Sequence, residues 1–325
     1  MMPLSDRYDR QMILPEIGAD GQAKLATVKM LVVGAGGLGA PVLSYLAGAG
    51  IGHITIIDHD LVSASNLHRQ TLFTQSQIGQ SKAELAAKFC SHLNHEIDVT
   101  AINQKLTPLN ADGLVAMADI VLDCADSFAA SYILSDICRD SATPFISASA
   151  LGMGGYVGGF CGMAPSLRAV FPDLPADLAS CASAGVLGPV VGVLGSLQAQ
   201  MALTIALGLI PSPLGHLIRY DASTMRTAHF RFDEAPEPTT IHSFIDASAI
   251  RDDDFVVELR GMDEAPIPVT PNARRFDVAT IATQFPTDTA YSRVVLCCRS
   301  GLRAWRAAHI IHPKWNGEIA LVAAT

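Results

Sequence analysis

The first 150 residues alternate short apolar runs with segments of helical composition. Strands separated by helices of this length are typical of βαβ units, whose strands form a parallel sheet. Two later segments, 217–221 and 226–232, predict further strands that we expect to be antiparallel. The apolar runs that predict strands are 28–33, 53–57, 97–102, 119–123 and 144–148, and the predicted helices are 38–49, 81–93, 111–117 and 128–139.

The composition changes near residue 233, where the polar, proline-containing stretch 233–243 predicts a linker. Beyond it, 255–259 and 293–298 predict short strands and 302–311 a helix. We therefore expect a core domain of residues 1–232 and a small tail domain of residues 244–325. The predicted fold class is α/β: a Rossmann-like, mostly parallel sheet with helices on both faces plus antiparallel strands, followed by a small α/β domain.

One long segment raises the question of a membrane span. No Asp, Glu, Lys or Arg occurs from residue 182 to 218, and 186–210 is apolar enough to cross a bilayer by length alone. However, Pro189, Gly192 and Gln198 interrupt the run, and no basic residues flank it as the positive-inside rule requires. We therefore expect a buried core helix and no membrane partner. A second uncharged stretch, 141–167, predicts buried strands and tight turns.

The charge balance narrows the possible partners. The chain has 22 Lys+Arg against 31 Asp+Glu, a net charge of −9, and half of its residues are hydrophobic. Such a composition excludes a disordered chain and disfavours non-specific nucleic-acid binding. Seven cysteines, an odd number, and charged residues where a signal peptide needs an apolar core predict a reducing, cytoplasmic location.

A glycine motif follows the first predicted strand. Gly34, Gly36 and Gly39 form G-x-G-x-x-G at the start of a helix, a context typical of a Rossmann-type nucleotide site. Asp58 ends the next strand, 19 residues after Gly39, where an acid can bind ribose hydroxyls. The motif alone does not distinguish a dinucleotide from ATP.

Charged residues farther along favour a triphosphate. Lys82 lies in the first turn of a helix capped by Ser81, where a cation opposes the helix dipole and a bound anion would relieve the conflict. The alternative is a solvated surface lysine. Asp123 and Asp126 end another strand, and one of them could hold Mg²⁺, although helix capping is the alternative for each.

Taken together, Arg7-Tyr8-x-Arg10-Gln11, the glycine motif, Asp58, Ser65-Asn66-Leu67-x-Arg69-Gln70, Lys82 and Asp123-Cys124-x-Asp126 resemble the ThiF/MoeB/HesA family over residues 5–232. The resemblance implies Mg-ATP-dependent adenylylation of the C-terminal Gly-Gly carboxylate of a ubiquitin-like sulfur-carrier protein, with release of pyrophosphate. The carrier would then be ready for thiocarboxylate formation in thiamine or molybdopterin synthesis.

The resemblance also implies roles for individual residues. Asp126 would hold Mg²⁺, and Arg10 would reach the ATP of a partner subunit in a homodimer. The implied nucleotide-binding residues are Gly34, Gly36, Gly37, Gly39, Asp58, Asp60, Ser65, Asn66, Arg69, Gln70, Lys82, Asp126 and Ser127.

The chemistry agrees with these residue types. A carboxylate attacks the α-phosphate, and positioned Arg10, Arg69 and Lys82 with Mg²⁺ would stabilise the charge that builds on the phosphoryl oxygens. No general base is needed, because the attacking carboxylate is already ionised. The alternatives are a non-catalytic nucleotide-sensing or carrier-docking module, or a nicotinamide-dependent dehydrogenase.

One cysteine segment resembles the family, whereas the expected zinc ligands are missing. Cys181 lies in a segment that resembles the one carrying the family's reactive cysteine, with a structural thiol as the alternative. The family usually binds zinc through two C-x-x-C pairs. In this chain, residues 166–169 stand at the position of the first pair and contain no cysteine, and no cysteine occurs near 234–243, the position of the second pair. Because a structural zinc site needs four ligands, we predict no zinc.

The tail resembles a shortened rhodanese-like domain. Val256–Arg260 is similar to its first signature strand and Cys298–Arg303 to its active loop, which would carry a persulfide on Cys298 supplied by a donor such as a cysteine desulfurase. An inactive, degenerate domain is the alternative. Cys297 and Arg303 also have the C-x5-R spacing of phosphatases. The remaining cysteines, Cys90, Cys124, Cys138 and Cys161, are predicted to be core residues.

Overall fold

A computed structural model describes residues 6–172, 185–286 and 291–324. The chain divides into two units. Of the described residues, the first unit takes those within Met1–Leu106, Asn110–Asp126 and Leu134–Glu237. The second takes those within Thr107–Leu109, Ser127–Ile133 and Pro238–Thr325. The boundary near residue 237 falls inside the predicted linker, 233–243.

The first unit contains an eight-stranded sheet in the order β3-β2-β1-β4-β5-β6-β7-β8. The five strands from β3 to β5 pair in parallel, and β5 to β8 pair antiparallel, which confirms the predicted α/β class. The strands are β1 Lys29–Val33, β2 His53–Ile57, β3 Asp98–Ile102, β4 Ile120–Asp123, β5 Pro144–Leu151, β6 Gly154–Cys161, β7 His216–Asp221 and β8 Arg226–Arg231.

Four of the eight helices described up to residue 207 connect consecutive parallel strands, as the alternating pattern predicts. The described helices up to residue 207 are α1 Asp9–Met12, α2 Gly18–Leu25, α3 Gly39–Ala49, α4 Lys82–Leu93, α5 Pro108–Val115, α6 Phe128–Asp140, α7 Leu167–Val170 and α8 Gly188–Leu207. Helices α3, α4 and α8 share one hydrophobic core with the sheet, in which Leu43, Ala86 and Leu194 are buried. Leu31 and Phe145 are buried as well, on the opposite face of their strands, because side chains alternate along a strand.

Helix α8 is the long apolar segment noted in the sequence. Among the described residues, it alone is long and apolar enough to cross a membrane. Half of its most apolar stretch is buried in the protein, and Val191, Leu194 and Ala202 belong to the core that α8 shares with α3. Its place in the structure agrees with the expected core helix.

The second unit has its own five-stranded sheet, in the order β11-β10-β12-β13-β9, with every pair parallel. Its elements are β9 Ser243–Phe244, β10 Phe255–Glu258, β11 Arg274–Arg275, α9 Ile281–Gln284, β12 Arg293–Cys298, α10 Leu302–Ile311 and β13 Glu318–Ala323. The sequence pattern did not predict β9, β11 or β13, although β13 carries the buried run 319–322.

Two interactions stabilise this unit. Trp305 of α10 packs against Phe128 and Tyr132 at the start of α6, with ring centroids 5.4 and 5.0 Å apart. Glu258 is fully buried and accepts hydrogen bonds from Arg260 Nε and Nη2 at 2.8 and 2.7 Å. Burial raises the pKa of Glu258, but these bonds and two backbone N–H donors outweigh burial and lower it below the ordinary value.

Candidate active site

The glycine motif forms a tight turn between β1 and α3. Gly34 has φ +95°, and a Cβ there would lie 2.7 Å from the carbonyl oxygen of Cys124. Only glycine fits such a position without strain. Within the described residues, the N–H groups of Gly36, Gly37 and Leu38 make no hydrogen bond. The turn therefore presents a cluster of backbone donors at the N-terminus of α3, an arrangement suited to phosphate oxygens.

Asp58 is fixed against this turn at the end of β2. Its Oδ2 accepts a hydrogen bond from Ala35 N at 2.8 Å, and its Oδ1 accepts one from Asp60 N at 2.8 Å. Burial raises the pKa of Asp58, and these two hydrogen bonds partly oppose that rise. The carboxylate is half-buried next to the glycine turn, where the sequence predicts a ribose ligand.

Lys82 is the first residue of α4, and only 6% of its side chain is exposed. It is therefore not the solvated lysine weighed as an alternative. Its Nζ donates to Asp60 Oδ2 at 2.7 Å, and the Asp60 side chain is 52% exposed. The carboxylate of Asp60 thus supplies a counter-charge to Lys82 at this helix N-terminus. The structure pairs Asp60 with Lys82, and the nucleotide-binding role that the resemblance implies for Asp60 stays a prediction.

The segment carrying Arg69 and Gln70 folds over the glycine turn. Arg69 Nη1 lies 3.1 Å from the carbonyl oxygen of Ser65 and 2.7 Å from His68 Nε2. Arg69 Cγ lies 3.4 Å from the position of a Cβ on Gly37. His68 was not among the predicted site residues. Adjacent residues usually point in different directions, so the position of His68 next to Arg69 does not indicate a contact between them.

Ser65 and Asn66 belong to a short 3₁₀ turn before Arg69. Asn66 Oδ1 accepts a hydrogen bond from Ser63 N at 3.3 Å, and the hydroxyls of Ser65 and Ser63 lie 2.9 Å apart. These bonds shape the turn from which Arg69 projects.

The acids after β4 differ in environment. Asp123 is fully buried; its Oδ2 accepts from Ser147 Oγ at 2.8 Å and its Oδ1 from Ala125 N at 3.2 Å, so its role is structural. Asp126 is exposed, and its carboxylate has no hydrogen bond or ion pair within the described residues. A solvated carboxylate of this kind fits Mg²⁺, which keeps several waters when bound. Ser127 Oγ caps the start of α6 by accepting from Ala130 N.

Arg10 lies on α1 and is exposed. In the part of the chain that the structure describes, it makes no hydrogen bond or ion pair with another predicted site residue. Cys181 lies outside the described residues.

A model of the ThiF family matches residues 8–240. The chain belongs to the ThiF family. The adenylyltransferase and sulfurtransferase MOCS3 of Sus scrofa is 44% identical over 219 residues, which cover 66% of this chain and 48% of MOCS3. The adenylyltransferase and sulfurtransferase UBA4 of Yarrowia lipolytica is 46% identical over 211 residues, 62% of this chain and 52% of UBA4. This chain thus spans about half the length of these curated relatives.

Solved structures share the ThiF-type fold. The crystal structure of E. coli MccB with ATP superposes with a TM-score of 0.63 over 72% of this chain and 74% of MccB, at 24% identity. The crystal structure of PaaA gives a TM-score of 0.59 at 22% identity, over 71% of this chain and 76% of PaaA. At these identities the likeness shows the fold alone.

Where the ThiF family resemblance implies zinc, this chain has other chemistry. Ser166 N and Oγ each donate to the carboxylate of Glu237 at 2.6 Å. Arg168, only 2% exposed, donates from Nε and Nη2 to Asp136 at 2.5 and 2.8 Å. One carboxylate and a buried guanidinium do not form a tetrahedral zinc site, so these residues do not fit the metal.

The tail cysteines point in opposite directions along β12. Cys298 Sγ accepts a hydrogen bond from Ala304 N at 3.3 Å, in the first turn of α10, and the thiol is fully buried. Arg303 Nη1 donates to Leu259 O, and its Nη2 contacts Glu264. Cys297 packs in the core of this unit, and burial raises its pKa to about 12. Cys297 therefore lacks the thiolate that the C-x5-R phosphatase alternative requires.

The other described cysteines are buried, as predicted for core residues. Burial raises the pKa of Cys90 and of Cys161 to about 12 in each case. These thiols stay protonated at neutral pH and are poor nucleophiles.

Proposed function

We propose that residues 1–232 form a Mg-ATP-dependent adenylyltransferase that activates the C-terminal Gly-Gly carboxylate of a ubiquitin-like sulfur-carrier protein. The observation that carries this proposal is the set of groups around one glycine turn: unbonded backbone donors, a fixed Asp58, a buried Lys82 and Arg69. Membership of the ThiF family and the printed names of MOCS3 and UBA4 support the same activity.

Each residue then has a defined task. The backbone N–H groups of Gly36 and Gly37 bind phosphate oxygens, and Asp58 accepts hydrogen bonds from the ribose. Arg69 and Lys82 neutralise the charge that develops as the carrier carboxylate attacks the α-phosphate and pyrophosphate leaves. Mg²⁺, when bound, would add electrostatic stabilisation of the phosphates and would be held by Asp126.

The carrier needs a docking surface, and one sheet face of the first unit offers it. An open cavity of about 610 Å³ lies on the face of β5, β6 and β7. Leu151, Met153, Tyr156, Phe171 and Arg219 are among its lining residues, and Leu151 and Met153 are 38% and 46% exposed. A largely apolar face with one cation, Arg219, and one acid, Asp221, suits a small folded partner whose tail extends into the nucleotide site.

A homodimer forms the second part of the proposal. Ile13 and Leu14, just after α1, are 69% and 49% exposed, and Arg10 nearby is exposed as well. Covering apolar residues in a subunit interface is favourable. Such an interface would bring Arg10 to the phosphates of the partner subunit.

We also propose that the protein holds no zinc and resides in the cytoplasm. The Ser166–Glu237 hydrogen bonds join the two segments in which the family resemblance implies the zinc ligands. The absence of a thiol set near Glu237 and the buried Arg168–Asp136 pair support this replacement.

A second candidate activity, sulfur transfer by the tail, rests on Cys298. Its Sγ lies at the N-terminus of α10 and accepts a hydrogen bond from the backbone N–H of Ala304 at 3.3 Å. Because the thiol is fully buried, the loop that carries it would have to open toward a persulfide donor. A Cys298→Ser variant that retains all sulfurtransferase activity would refute this role.

Exchange of labelled pyrophosphate into ATP tests the main proposal. The protein is incubated with Mg²⁺, ATP and a sulfur carrier ending in Gly-Gly, with the same carrier lacking the two glycines as the control. We expect exchange only with the carrier that keeps its two C-terminal glycines. A nucleotide-sensing module would bind ATP without catalysing exchange. A dehydrogenase would bind NAD more tightly than ATP when the two affinities are measured side by side.

A further inference from the structure

The segment that carries Arg10 is fixed at one end of α3. Tyr8 lies just before α1 and is 5% exposed. Its Cε1, Cζ and hydroxyl oxygen each lie 2.7 Å from where a Cβ on Gly50 would be. Gly50 has φ +81° and ends α3, so a side chain at this position would be strained and would displace Tyr8. The end of α3 therefore leaves room for the Tyr8 ring.

Asn94 connects Tyr8 to α3. Asn94 is fully buried, and its Nδ2 donates to Tyr8 Oη at 2.8 Å and to Ala47 O at 2.8 Å. Beside this contact, Arg7 Nη1 donates to Leu93 O at 2.8 Å. The chain before α1 is therefore bonded to the ends of two helices, α3 and α4.

Gln22 of α2 makes the matching connection on the other side of Arg10. Gln11 Nε2 donates to Gln22 Oε1 at 2.6 Å and to Ala49 O at 3.1 Å, and Gln22 Nε2 donates to Ala49 O at 3.0 Å. The last four carbonyls of a helix have no partner inside it, and Ala49 carries one of these in α3. The amide of Gln22, which is 1% exposed, therefore satisfies the end of α3 and holds the residue that follows Arg10.

This placement separates Arg10 from the nucleotide site of its own subunit. Helix α3 starts at Gly39, beside the glycine turn, and its 11 residues span about 16 Å. Arg10 lies between Tyr8 and Gln11, which are both held at the far end of α3. The exposed side chain of Arg10 cannot extend back over the whole length of α3.

We propose that Gln22 and Asn94 are positioning residues for Arg10: their amides fix the chain on both sides of it, so that its guanidinium is placed for the phosphates bound by the partner subunit. The inference rests on the proposed adenylyltransferase and its proposed dimer, and it assigns a role to two residues outside the nucleotide site. Such positioning matters because a misplacement of about 1 Å can cost about 100-fold in rate.

Two variants loosen the segment from opposite sides. Tyr8→Phe removes only the hydroxyl that Asn94 holds, and Gln22→Met keeps the side-chain length but removes both polar groups. We expect the kcat of pyrophosphate exchange to fall about fivefold in Tyr8→Phe and about tenfold in Gln22→Met. The KM for Mg-ATP should stay unchanged, because the glycine turn is untouched. Asp20→Asn changes an exposed residue of α2 and should alter neither value.

A double-mutant cycle with Arg10→Ala separates positioning from folding. If Gln22 acts through Arg10, Gln22→Met should slow exchange about tenfold in the wild-type background and less than about twofold in Arg10→Ala. A residue that only supports the fold would cost the same factor in both backgrounds. The cycle with Tyr8→Phe provides the same test if Gln22→Met does not fold, since this variant loses a single hydroxyl.

Mixing of subunits tests whether the positioned arginine serves the partner. In an equal mixture of Gln22→Met and Lys82→Met after subunit exchange, the Lys82→Met subunit supplies a well-placed Arg10 to the intact nucleotide site of the Gln22→Met subunit. We expect about one quarter of the wild-type kcat, against about one tenth or less before the subunits exchange.

The outcomes distinguish this role from the proposed function. An equal loss in the Arg10→Ala background, a raised KM for Mg-ATP with unchanged kcat, or no recovery on mixing would overturn the positioning role. If the wild type catalyses no exchange, the proposed function fails and this role fails with it; if Arg10→Ala exchanges like wild type, the shared arginine fails. A defect in Arg10→Ala together with wild-type kcat in both Gln22→Met and Tyr8→Phe refutes the positioning role alone.

Discussion

Lys82 offers the sharpest test of the site, because its ammonium is buried at a helix N-terminus beside a half-exposed acid. Replacing it with Met keeps the stem and removes the charge. A hydrogen bond to a charged group contributes about 1.5–3 kcal/mol, so Lys82→Met should lower kcat/KM for Mg-ATP in pyrophosphate exchange by about 10- to 150-fold.

The same change should affect stability little. The Asp60 carboxylate is 52% exposed and can regain water when Lys82 is lost. Pairs with a solvated partner contribute about 0–1 kcal/mol, so the Tm should move by no more than about 2–4 °C. Activity and stability would thus separate, which a purely structural lysine would not allow.

Two controls make this reasoning refutable. Lys88→Met changes an exposed lysine on the same helix and should leave exchange unchanged. Asp60→Asn removes the partner and keeps the ammonium, so it should retain most of the activity. Exchange by Lys82→Met within about threefold of wild type, or an equal loss in Asp60→Asn, would refute a phosphate-binding role.

Three further predictions concern the proposed dimer, the proposed absence of zinc and the buried acid of the tail. Mixing inactive Arg10→Ala and Lys82→Met proteins at equal amounts, with subunit exchange, should restore about one quarter of wild-type exchange; no recovery would contradict sharing of Arg10 between subunits. Metal analysis should find no zinc and a chelator should not change the Tm, whereas Glu237→Ala should lower stability by about 2 kcal/mol; stoichiometric zinc would contradict this. Because the pKa of Glu258 is lowered, its stabilising contribution is complete above about pH 4.3 and is lost as the pH falls through the lowered value. Thermal unfolding of Glu258→Gln across pH should lack this part of the acid dependence, with Asp252→Asn as control, and an unchanged profile would contradict it.

The parallel strands and the glycine turn could be predicted because local pattern and tertiary structure agree there. The run 28–33, the glycines and the helix after them each indicate a strand–turn–helix unit, and the structure forms it. The burial of Lys82 could not be predicted from spacing, since a lysine early in a helix is usually solvated. Its pairing with Asp60 depends on how the long segment between β2 and α4 folds.

The interactions that stand where the resemblance implies zinc could not be predicted from the sequence either. The lack of cysteines predicts that zinc is missing, but the partners of Ser166 and Arg168 lie 71 and 32 residues away along the chain. Strands β9 and β11 were missed because each has only two residues, which is too short for a period-two pattern.

Transfer of AMP to the carrier tests the central claim most directly. The protein is incubated with Mg-ATP and a Gly-Gly-ending sulfur carrier, and the intact mass of the carrier is measured while pyrophosphatase removes the second product. We predict a carrier that gains one AMP group, which is lost when the terminal glycines are deleted. Binding of ATP with no AMP adduct, and with no phosphate formed from released pyrophosphate, across a panel of such carriers would contradict the claim.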